Sequence, residues 1–354
     1  MFSFFVFLVI VGIVIIVHEF GHFIIAKRWK VRVDEFSIGF GPKIVKRKKR
    51  ETEYSLSAIP LGGYVKLAGD NPEEFKGKPY EFLSKPCGAR AQVIFFGPLL
   101  NYLLGFLCFF AICLAFPTPM ITTKVGGLVE GFPAQEADIQ AGDTIISLDG
   151  KKVSYWDDIQ AVTQNKKAGS VVNMEVMRGG VSHRVAIKTK AQEVEDIFGQ
   201  KRSIGLIGIK PAEEIKEIRY GFFESVFLGA RKTVYLTAMT YKALWCMVTG
   251  KLSLRDSLAG PLGFLYITSK YAKEGIVAIL HLLAVLSINL SIFNLLPLPV
   301  LDGGHLALLA LEKMRGRRLS PRTDMVVTRI GLSIIIALAV IATGIDLMRF
   351  IGKK

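Results

Sequence analysis

The chain has 354 residues, 51% of them hydrophobic, and a formal net charge of +15. A positive mean hydropathy argues against a purely soluble protein, although the length alone would allow two or three soluble domains. The positive charge does not indicate nucleic-acid binding. It is concentrated in short segments, 27–50 and 313–322, and no zinc finger, RNA-binding signature or helix-turn-helix pattern accompanies it. Both segments flank apolar stretches, so the expected partners of these cations are anionic membrane lipids.

Three stretches are long and apolar enough to cross a bilayer, which takes about 20 apolar residues. They cover 2–26, 91–116 and 325–350. A fourth stretch, 276–311, is apolar but is interrupted by Pro297 and Pro299. The first stretch lacks the basic n-region and the small-residue cleavage site of a signal peptide, so it is expected to stay in the protein as a membrane span.

The first predicted span, assigned to 1–26, contains an HExxH motif in which His18 and His22 are four residues apart. On a helix this spacing puts both imidazoles on one face, where their nitrogens can bind one zinc ion. Glu19 projects within about 100° of that face, close enough to take a proton from a water molecule that the metal activates. Ionisable groups are costly inside a bilayer and usually functional there, so the motif predicts a metal site.

A polar, basic region, 27–90, follows the first span and is expected in the cytoplasm. Its stretch 53–67 alternates loosely between apolar and polar residues and contains Pro60, Gly62 and Gly63. This pattern predicts a β-hairpin, or a loop folded against the membrane face. The second predicted span, 91–116, then carries the chain across the bilayer.

Residues 117–195 have the pattern of a small α+β domain. Val172, Met174 and Val176 alternate with polar residues before Gly179-Gly180, which predicts a hairpin with a two-residue turn. A short helix is expected at 157–164.

The same region resembles a PDZ domain in three short runs, Gly127-Leu128-Val129, Pro133-Ala134 and Ala141-Gly142-Asp143. The resemblance implies a groove at Gly127, Leu128 and Val129. Such a groove binds an extended peptide or a C-terminal carboxylate by adding a strand to a sheet edge. The alternative is a small β domain that binds nothing.

Residues 196–275 are predicted to form a linker with one amphipathic helix at 221–249. Apolar residues fit one face of that helix, whereas Arg231, Lys232 and Lys242 interrupt any clean span. The helix is therefore expected to lie in the membrane interface.

The stretch 276–311 is predicted to be the third span, broken by its prolines. Asp302 is a carboxylate in this apolar segment, and Gly303 and Gly304 after it permit close backbone approach. A catalytic zinc usually has three protein ligands, so Asp302 is the best remaining candidate for the third. A loop-capping aspartate just below the membrane is the alternative.

The charge distribution determines the predicted topology. With 27–50 in the cytoplasm, the amino terminus and residues 117–195 lie on the other side. If 221–249 does not cross, the basic loop 312–324 falls in the cytoplasm, as the positive-inside rule requires, and 325–350 is the fourth span. The sequence therefore predicts a polytopic α-helical membrane protein with four transmembrane helices, a membrane-associated β-hairpin region and an inserted α+β PDZ-like domain.

These features together resemble the site-2 intramembrane metalloproteases, and most closely their bacterial RseP type. The resemblance rests on the HExxH motif in the first span, the NxxPxPxLDGG stretch from Asn294 to Gly304 and a PDZ domain after the second span. It extends over nearly the whole chain through shorter recurring stretches at 38–42, 60–65, 97–101 and 260–261. The single PDZ-like domain departs from the RseP type, which carries two in tandem, and leaves the natural substrate open.

The resemblance implies a zinc endopeptidase of the bacterial cytoplasmic membrane, with its PDZ-like domain on the extracytoplasmic side. It implies His18, His22 and Asp302 as zinc ligands, Glu19 as general base and Asn294 as a contact to the substrate backbone or the developing oxyanion. It also implies that the hairpin holds unwound substrate, through Gly62, Gly63, Tyr64 and Val65. The implied substrates are transmembrane proteins, such as a membrane-bound anti-sigma factor, or remnant signal peptides.

Two other functions share some of these features. A metal transporter also places His and Asp within spans, but it usually needs a polar path through several helices, and here the polar groups cluster at one depth. A catalytically inert scaffold that presents a PDZ-like domain would not need Glu19. The ligand types alone do not distinguish zinc from another divalent ion. Of the other histidines, His305 is expected to be structural or to support the ligands, His281 to lie between helices and His183 on a strand surface.

Overall fold

The computed structural model describes residues 2–164, 166–195, 201–253, 260–316 and 321–351. The contacts divide the chain into two compact units. The helical unit comprises Met1–Ile112, Phe222–Lys242 and Ser253–Lys354, and the β-rich unit comprises Cys113–Gly221 and Ala243–Leu252. Parts of the predicted linker 196–275 and of the predicted loop 312–324 fall on 196–200, 254–259 and 317–320, outside the described residues.

Eight helices of the described chain matter for the argument: α1 (Phe2–Arg28), α2 (Cys87–Ala115), α3 (Trp156–Gln164), α4 (Phe222–Val248), α5 (Pro261–Lys273), α6 (Ile276–Asn294), α7 (Asp302–Arg315) and α8 (Pro321–Ile351). Among the described residues, α1, α2 and α6 are long and apolar enough to cross a membrane. α1 contains the whole predicted span 2–26, and α2 contains all but the last residue of the predicted span 91–116. α6 contains the first part of the predicted span 276–311. The predicted span 325–350 lies in α8, which is not one of the three.

The predicted break in the third span is present. α6 ends at Asn294 and α7 begins at Asp302, since the two prolines of the connection 295–301 cannot donate helical hydrogen bonds. A Cβ at Gly303 or Gly304 would overlap carbonyl oxygens of this connection, those of Leu295, Leu296 and Leu298. Only glycine at these positions lets the connection fold back onto the start of α7, which sets Asp302 in the first turn of that helix.

β1 (Val33–Lys49) and β2 (Thr52–Leu67) form a sheet that runs back along α1. Within β1, Ile38 pairs with Gly63 on one side and with Leu56 on the other. At one end of the sheet, Glu51 in the turn between β1 and β2 forms an ion pair of 2.7 Å with Lys27 near the end of α1. The other end reaches Ile15, whose side chain would lie 3.8 Å from a Cβ at Gly63. The sheet therefore covers roughly 18 Å of α1, at 1.5 Å per residue.

α4 lies alongside α2 in the helical unit. The backbone at Gly229 is close to that of Phe110, and the Thr237 hydroxyl is 3.1 Å from that of Tyr102. Gly229 and Thr237 are eight residues apart in α4, and Tyr102 and Phe110 are eight residues apart in α2. The contacts follow opposite chain directions, so the two helices run antiparallel for about 12 Å. The small residues Ser225, Gly229 and Thr233 share one face of α4 and allow this contact.

The β-rich unit is organised around a four-stranded sheet of β5 (Thr144–Leu148), β6 (Lys151–Lys152), β7 (Val171–Arg178) and β8 (Val181–Lys188), in the order β6-β5-β7-β8. The predicted hairpin is confirmed, because Arg178 pairs with Val181 across Gly179 and Gly180. These two glycines have φ angles of 55° and 86°, which glycine adopts without steric cost. The alternating residues Val172, Met174 and Val176 are buried in the core of this unit.

Six further strands pair two by two: β3 (Thr118–Ile121) with β12 (Ile215–Ile218), β4 (Val125–Leu128) with β11 (Ile209–Pro211), and β9 (Lys190–Glu195) with β10 (Lys201–Leu206). The β4 pairing limits where the predicted peptide groove can lie. Gly127 pairs with Lys210, Leu128 pairs with Ile209, and the Val129 amide donates to the Gly208 carbonyl at 2.8 Å. The chain itself occupies this edge of β4, so a peptide bound at Gly127, Leu128 and Val129 would have to use the other edge of the strand.

A buried ion pair connects the residue before β5 to the end of β7. Asp143 is 1% exposed and accepts hydrogen bonds from the Arg178 guanidinium at 2.7 and 2.8 Å. These bonds favour the ionised carboxyl and lower the pKa of Asp143 from its usual range. The pair therefore stabilises the fold above the unfolded pKa of aspartate, about 4, and this stabilisation is lost as the pH falls through the lower folded pKa.

Replacing Arg178 with methionine should weaken the hydrogen-exchange protection of the β-rich unit at pH 7, because a buried carboxylate loses its partner. The deficit should shrink as the pH falls below about 4, where Asp143 takes up a proton. Arg184→Met is the matched control, since the Arg184 side chain is 89% exposed and 3.8 Å from Glu175. Hydrogen exchange of β5 and β7 in the full-length protein measures both variants. Equal effects at pH 7 would contradict the role of the pair.

Candidate metal centre

Three metal-binding side chains from α1 and α7 meet at one point. Nε2 of His18 lies 3.1 Å from Nε2 of His22, and Oδ2 of Asp302 lies 3.2 Å and 3.6 Å from these nitrogens. All three atoms lie within 4.8 Å of one another. The structure thus brings together the three side chains for which metal ligation was predicted.

α1 approaches α2 closely at two glycines. A Cβ at Gly21 would overlap the carbonyl group of Phe96, and a Cβ at Gly97 would overlap the imidazole of His22. The imidazole of His22 therefore lies against the backbone of α2, where its Nδ1 donates to the Val93 carbonyl at 2.9 Å. A proton on Nδ1 leaves the lone pair of Nε2 free to face Asp302.

Two asparagines flank His18. Asn101 of α2 is fully buried, and its carboxamide nitrogen lies 3.5 Å from Nδ1 of His18. Asn294, the last residue of α6, places its amide nitrogen 3.5 Å from Nε2 of His18. Asn294 is therefore next to the ligands, where a contact with the substrate was predicted.

Glu19 stands between the ligands and the sheet. Its carboxylate accepts a hydrogen bond from the backbone amide of Val65. Gly63 lies against the same side chain, since a Cβ at Gly63 would be 3.7 Å from Cγ of Glu19. Glu19 and Asp302 both line a cavity of about 710 Å³, so Glu19 borders the same space as Asp302.

The cavity is bounded by the sheet, α2 and α7, and much of its wall is apolar, including Val65, Val93 and Leu308. Arg90 of α2, 4% exposed, donates to Glu312 of α7 at 3.1 Å in this wall. This ion pair links the helix that carries Val93 and Asn101 to the helix that carries Asp302. His305 also lines the cavity, whereas His281 packs against Phe109 and His183 lies exposed on β8.

Two of the predicted substrate-binding residues lie against Phe40. The Tyr64 ring stacks on Phe40, with ring centroids 6.1 Å apart, and burial together with a hydrogen bond to Glu35 raises the pKa of Tyr64. The same Phe40 ring covers Gly62 and would overlap a Cβ there. Gly63 and Val65 thus contact Glu19, while Gly62 and Tyr64 contact the Phe40 ring instead.

The donor atoms of this centre fit a metal ion. Oδ2 of Asp302 is buried and has no hydrogen-bond donor among the described residues. Lone pairs of two imidazoles and a carboxylate repel one another at these distances unless a proton or a cation lies among them. Two histidines and one carboxylate are a ligand set of catalytic zinc sites, which keep a fourth position open.

The support that α2 gives to the ligands was not predicted. Gly97 and Asn101 lie one turn apart on the face that meets α1. The stretch 97–101 contained the signal, because an asparagine within an apolar span is costly unless its amide has a partner.

The chain is similar in sequence to metal-dependent peptidases. Residues 6–338 match the sequence profile of Peptidase family M50. A relative from Agrobacterium fabrum, provisionally named a zinc metalloprotease, is 33% identical over 98% of this chain and 96% of its own. Zinc metalloprotease RasP from Oceanobacillus iheyensis is 28% identical over 97% of this chain and 98% of its own. Among solved structures, the PDZ domain of the SdrC-like protein from Listeria monocytogenes matches 27% of this chain and 87% of its own, with 23% identity and a TM-score of 0.20.

Replacing Gly97 with alanine should weaken zinc binding about tenfold or more, because the new methyl group displaces the His22 imidazole from Val93. Gly12→Ala is the matched control on α1, since a Cβ at Gly12 meets no atom within 4 Å. Competition with a chelator on the purified full-length protein measures both affinities. Unchanged zinc affinity in the Gly97 variant would contradict the importance of this helix contact.

Proposed function

Since the chain belongs to Peptidase family M50, we propose that it is a membrane-embedded zinc metalloendopeptidase that hydrolyses peptide bonds in transmembrane segments of other proteins. The convergence of His18, His22 and Asp302 beside Glu19 carries this proposal. A peptidase of this kind needs three ligands, an open metal position and a nearby base. The base distinguishes it from a metal transporter and from an inert scaffold.

In the proposed mechanism, His18 and His22 hold the metal through Nε2 and Asp302 holds it through Oδ2. A bound zinc ion polarises the scissile carbonyl and makes the attacking water more acidic. Glu19 accepts the proton of that water and passes it to the amine of the leaving peptide. The Val65 amide keeps the Glu19 carboxylate directed into the cavity during both transfers.

Asn294 is proposed to stabilise the reacting carbonyl. Its amide nitrogen lies close to the ligands and offers two protons to an oxygen that gains negative charge. A donor held in place before the reaction stabilises the transition state more than the ground state. Asn294 is held in place because it is the last residue of α6 and precedes the proline-containing connection.

The sheet of β1 and β2 is proposed to lie at the membrane and to hold unwound substrate through Gly62–Val65. Phe40, Ile44 and Val45 are exposed on β1, and five consecutive cations, 46–50, follow towards the end that is tied to Lys27. This order fits hydrocarbon followed by anionic headgroups. Peptide bonds within a helix are shielded, so a substrate helix has to open before the backbone near Glu19 can bind it.

We also propose four transmembrane helices, with α8 as the fourth. A Cβ at Gly331 would lie 2.7 Å from the Pro299 carbonyl oxygen, near the level of Asp302. Farther along α8, Asp346 accepts a hydrogen bond from the Gly263 amide of α5 at 2.8 Å. These positions on α8 are about 22 Å apart on a straight helix. α1 has the same spacing between His18 and Ser3, which contacts Ser269 of α5 at 3.2 Å.

The proposed location is a bacterial cytoplasmic membrane, with the β-rich unit on the extracytoplasmic side. The proposed substrates are transmembrane proteins, such as an anti-sigma factor, and remnant signal peptides. If the β-rich unit binds peptides or C-termini, it must use an edge other than the one that β11 covers on β4.

Replacing Glu19 with glutamine should reduce cleavage of a model transmembrane peptide by about 10²–10⁴-fold and leave the zinc content unchanged, because the amide cannot accept a proton. Asp302→Ala should lower both activity and zinc content, since a ligand is removed. The test uses purified protein in detergent with metal analysis. Normal cleavage by the Glu19 variant would contradict a protease, and loss of its zinc would make Glu19 a ligand.

The topology predicts opposite labelling of two single-cysteine variants in a background without the four natural cysteines. Lys151→Cys, on β6, should react with a membrane-impermeant thiol reagent from outside intact cells. Arg47→Cys, on β1, should react with this reagent only after the cells are permeabilised. Labelling of position 151 from the cytoplasm alone would contradict the proposed orientation.

A further inference from the structure

Asn101 is a fully buried polar residue without a role in the proposed mechanism. Its side chain is 0% exposed, and its Oδ1 has no hydrogen-bond partner among the described residues. A buried oxygen without a partner is costly, and each such atom in a folded protein needs an explanation.

The position of Asn101 is determined from two sides. Its backbone carbonyl accepts a hydrogen bond from Ser287 of α6 at 2.8 Å. One turn farther along α2, a Cβ at Gly105 would overlap the Ile288 side chain, so α2 and α6 pack closely here. The carboxamide is thereby held beside Nδ1 of His18, the ring nitrogen that lies away from Asp302.

The two ring nitrogens of His18 have to share one proton in the neutral imidazole. If Nε2 binds a metal, the proton must be on Nδ1, and Nδ1 then needs an acceptor. Within the described part of the chain, the Asn101 carboxamide is the polar group in contact with Nδ1, and its nitrogen cannot accept a hydrogen bond. A half turn about Cβ–Cγ exchanges oxygen and nitrogen with almost no change of shape, and Oδ1 has no partner among the described residues that it would lose.

We propose that Asn101 is a positioning residue for His18. In the metal-loaded protein its Oδ1 accepts the Nδ1 proton of His18, which keeps Nε2 free of a proton and directed at the metal. The proposal rests on the proposed function only in taking His18 as a zinc ligand.

The arrangement has a counterpart at the second histidine. The Val93 carbonyl accepts the Nδ1 proton of His22 at 2.9 Å. Val93 and Asn101 both belong to α2, about two turns apart. One helix therefore supplies the acceptor for each histidine of the other helix, once through its backbone and once through a side chain. Only the second acceptor can be removed by mutation.

The test compares the zinc affinity of three variants of the full-length protein in detergent, measured by chelator competition. Asn101→Leu keeps the approximate size and removes the acceptor, so zinc should bind about 10–100-fold more weakly. Asn101→Asp keeps an oxygen towards His18 in either protonation state, so its affinity should stay at or above that of the wild type. Ser287→Ala is the control for packing, because it removes a buried hydrogen bond to the Asn101 backbone and leaves the carboxamide in place.

The absorption spectrum of the cobalt-loaded protein reports the ligand arrangement without any assay of activity. It should change for Asn101→Leu and stay as in the wild type for Ser287→Ala. Wild-type zinc affinity in Asn101→Leu, or equal losses in Asn101→Leu and Ser287→Ala, would overturn the proposal. If Asn101→Leu does not fold, the zinc affinity of Asn101→Asp is the remaining test. A zinc affinity tenfold weaker than that of the wild type would then overturn the proposal. A wild-type protein that binds no zinc would refute the proposed function instead.

Discussion

The close approach of α1 and α2 is the contact on which the metal centre depends. Gly21 and Gly97 remove the two side-chain atoms that would keep these helices apart. Apolar surroundings give little hydrophobic drive for helices to associate within a bilayer, so backbone proximity and hydrogen bonds have to supply the attraction. The His22–Val93 hydrogen bond forms because of this proximity, and it orients an imidazole that an isolated helix would leave to rotate.

Asp302 reaches the same point from a connection rather than from a continuous helix. Val300 has a φ of 79°, a region that β-branched residues avoid, and the glycines at 303 and 304 admit carbonyl oxygens that a side chain would exclude. Backbone strain of this kind persists where the surrounding packing determines it, and it is frequent where geometry serves chemistry. The Arg90–Glu312 ion pair then holds α7 to α2, so the same helix positions His18, His22 and Asp302.

The features of this protein that could be predicted from its sequence are those set by residues close together in the chain. The spacing of His18 and His22, the prolines before Asp302 and the glycine pair at 179–180 each act within a few residues. Contacts between distant segments left no such signal. Nothing local indicates that 208–211 would cover the edge of β4, roughly 80 residues earlier in the chain, or that α4 would pack along α2. The side chain of Tyr64 could not be placed either, because register shifts within β1 decide which face of β2 meets Glu19.

Metal binding by His18, His22 and Asp302 would have a consequence for the amount of protein in a cell. A metal that binds the folded chain and not the unfolded chain adds its binding free energy to folding, about 2.7 kcal/mol when free zinc is a hundred times its dissociation constant. The unfolded fraction then falls by about the same factor of a hundred. A fall in free zinc would therefore expose the chain to quality-control proteases as well as emptying its active site. Abundance and activity would decline together, without any regulator that senses the metal.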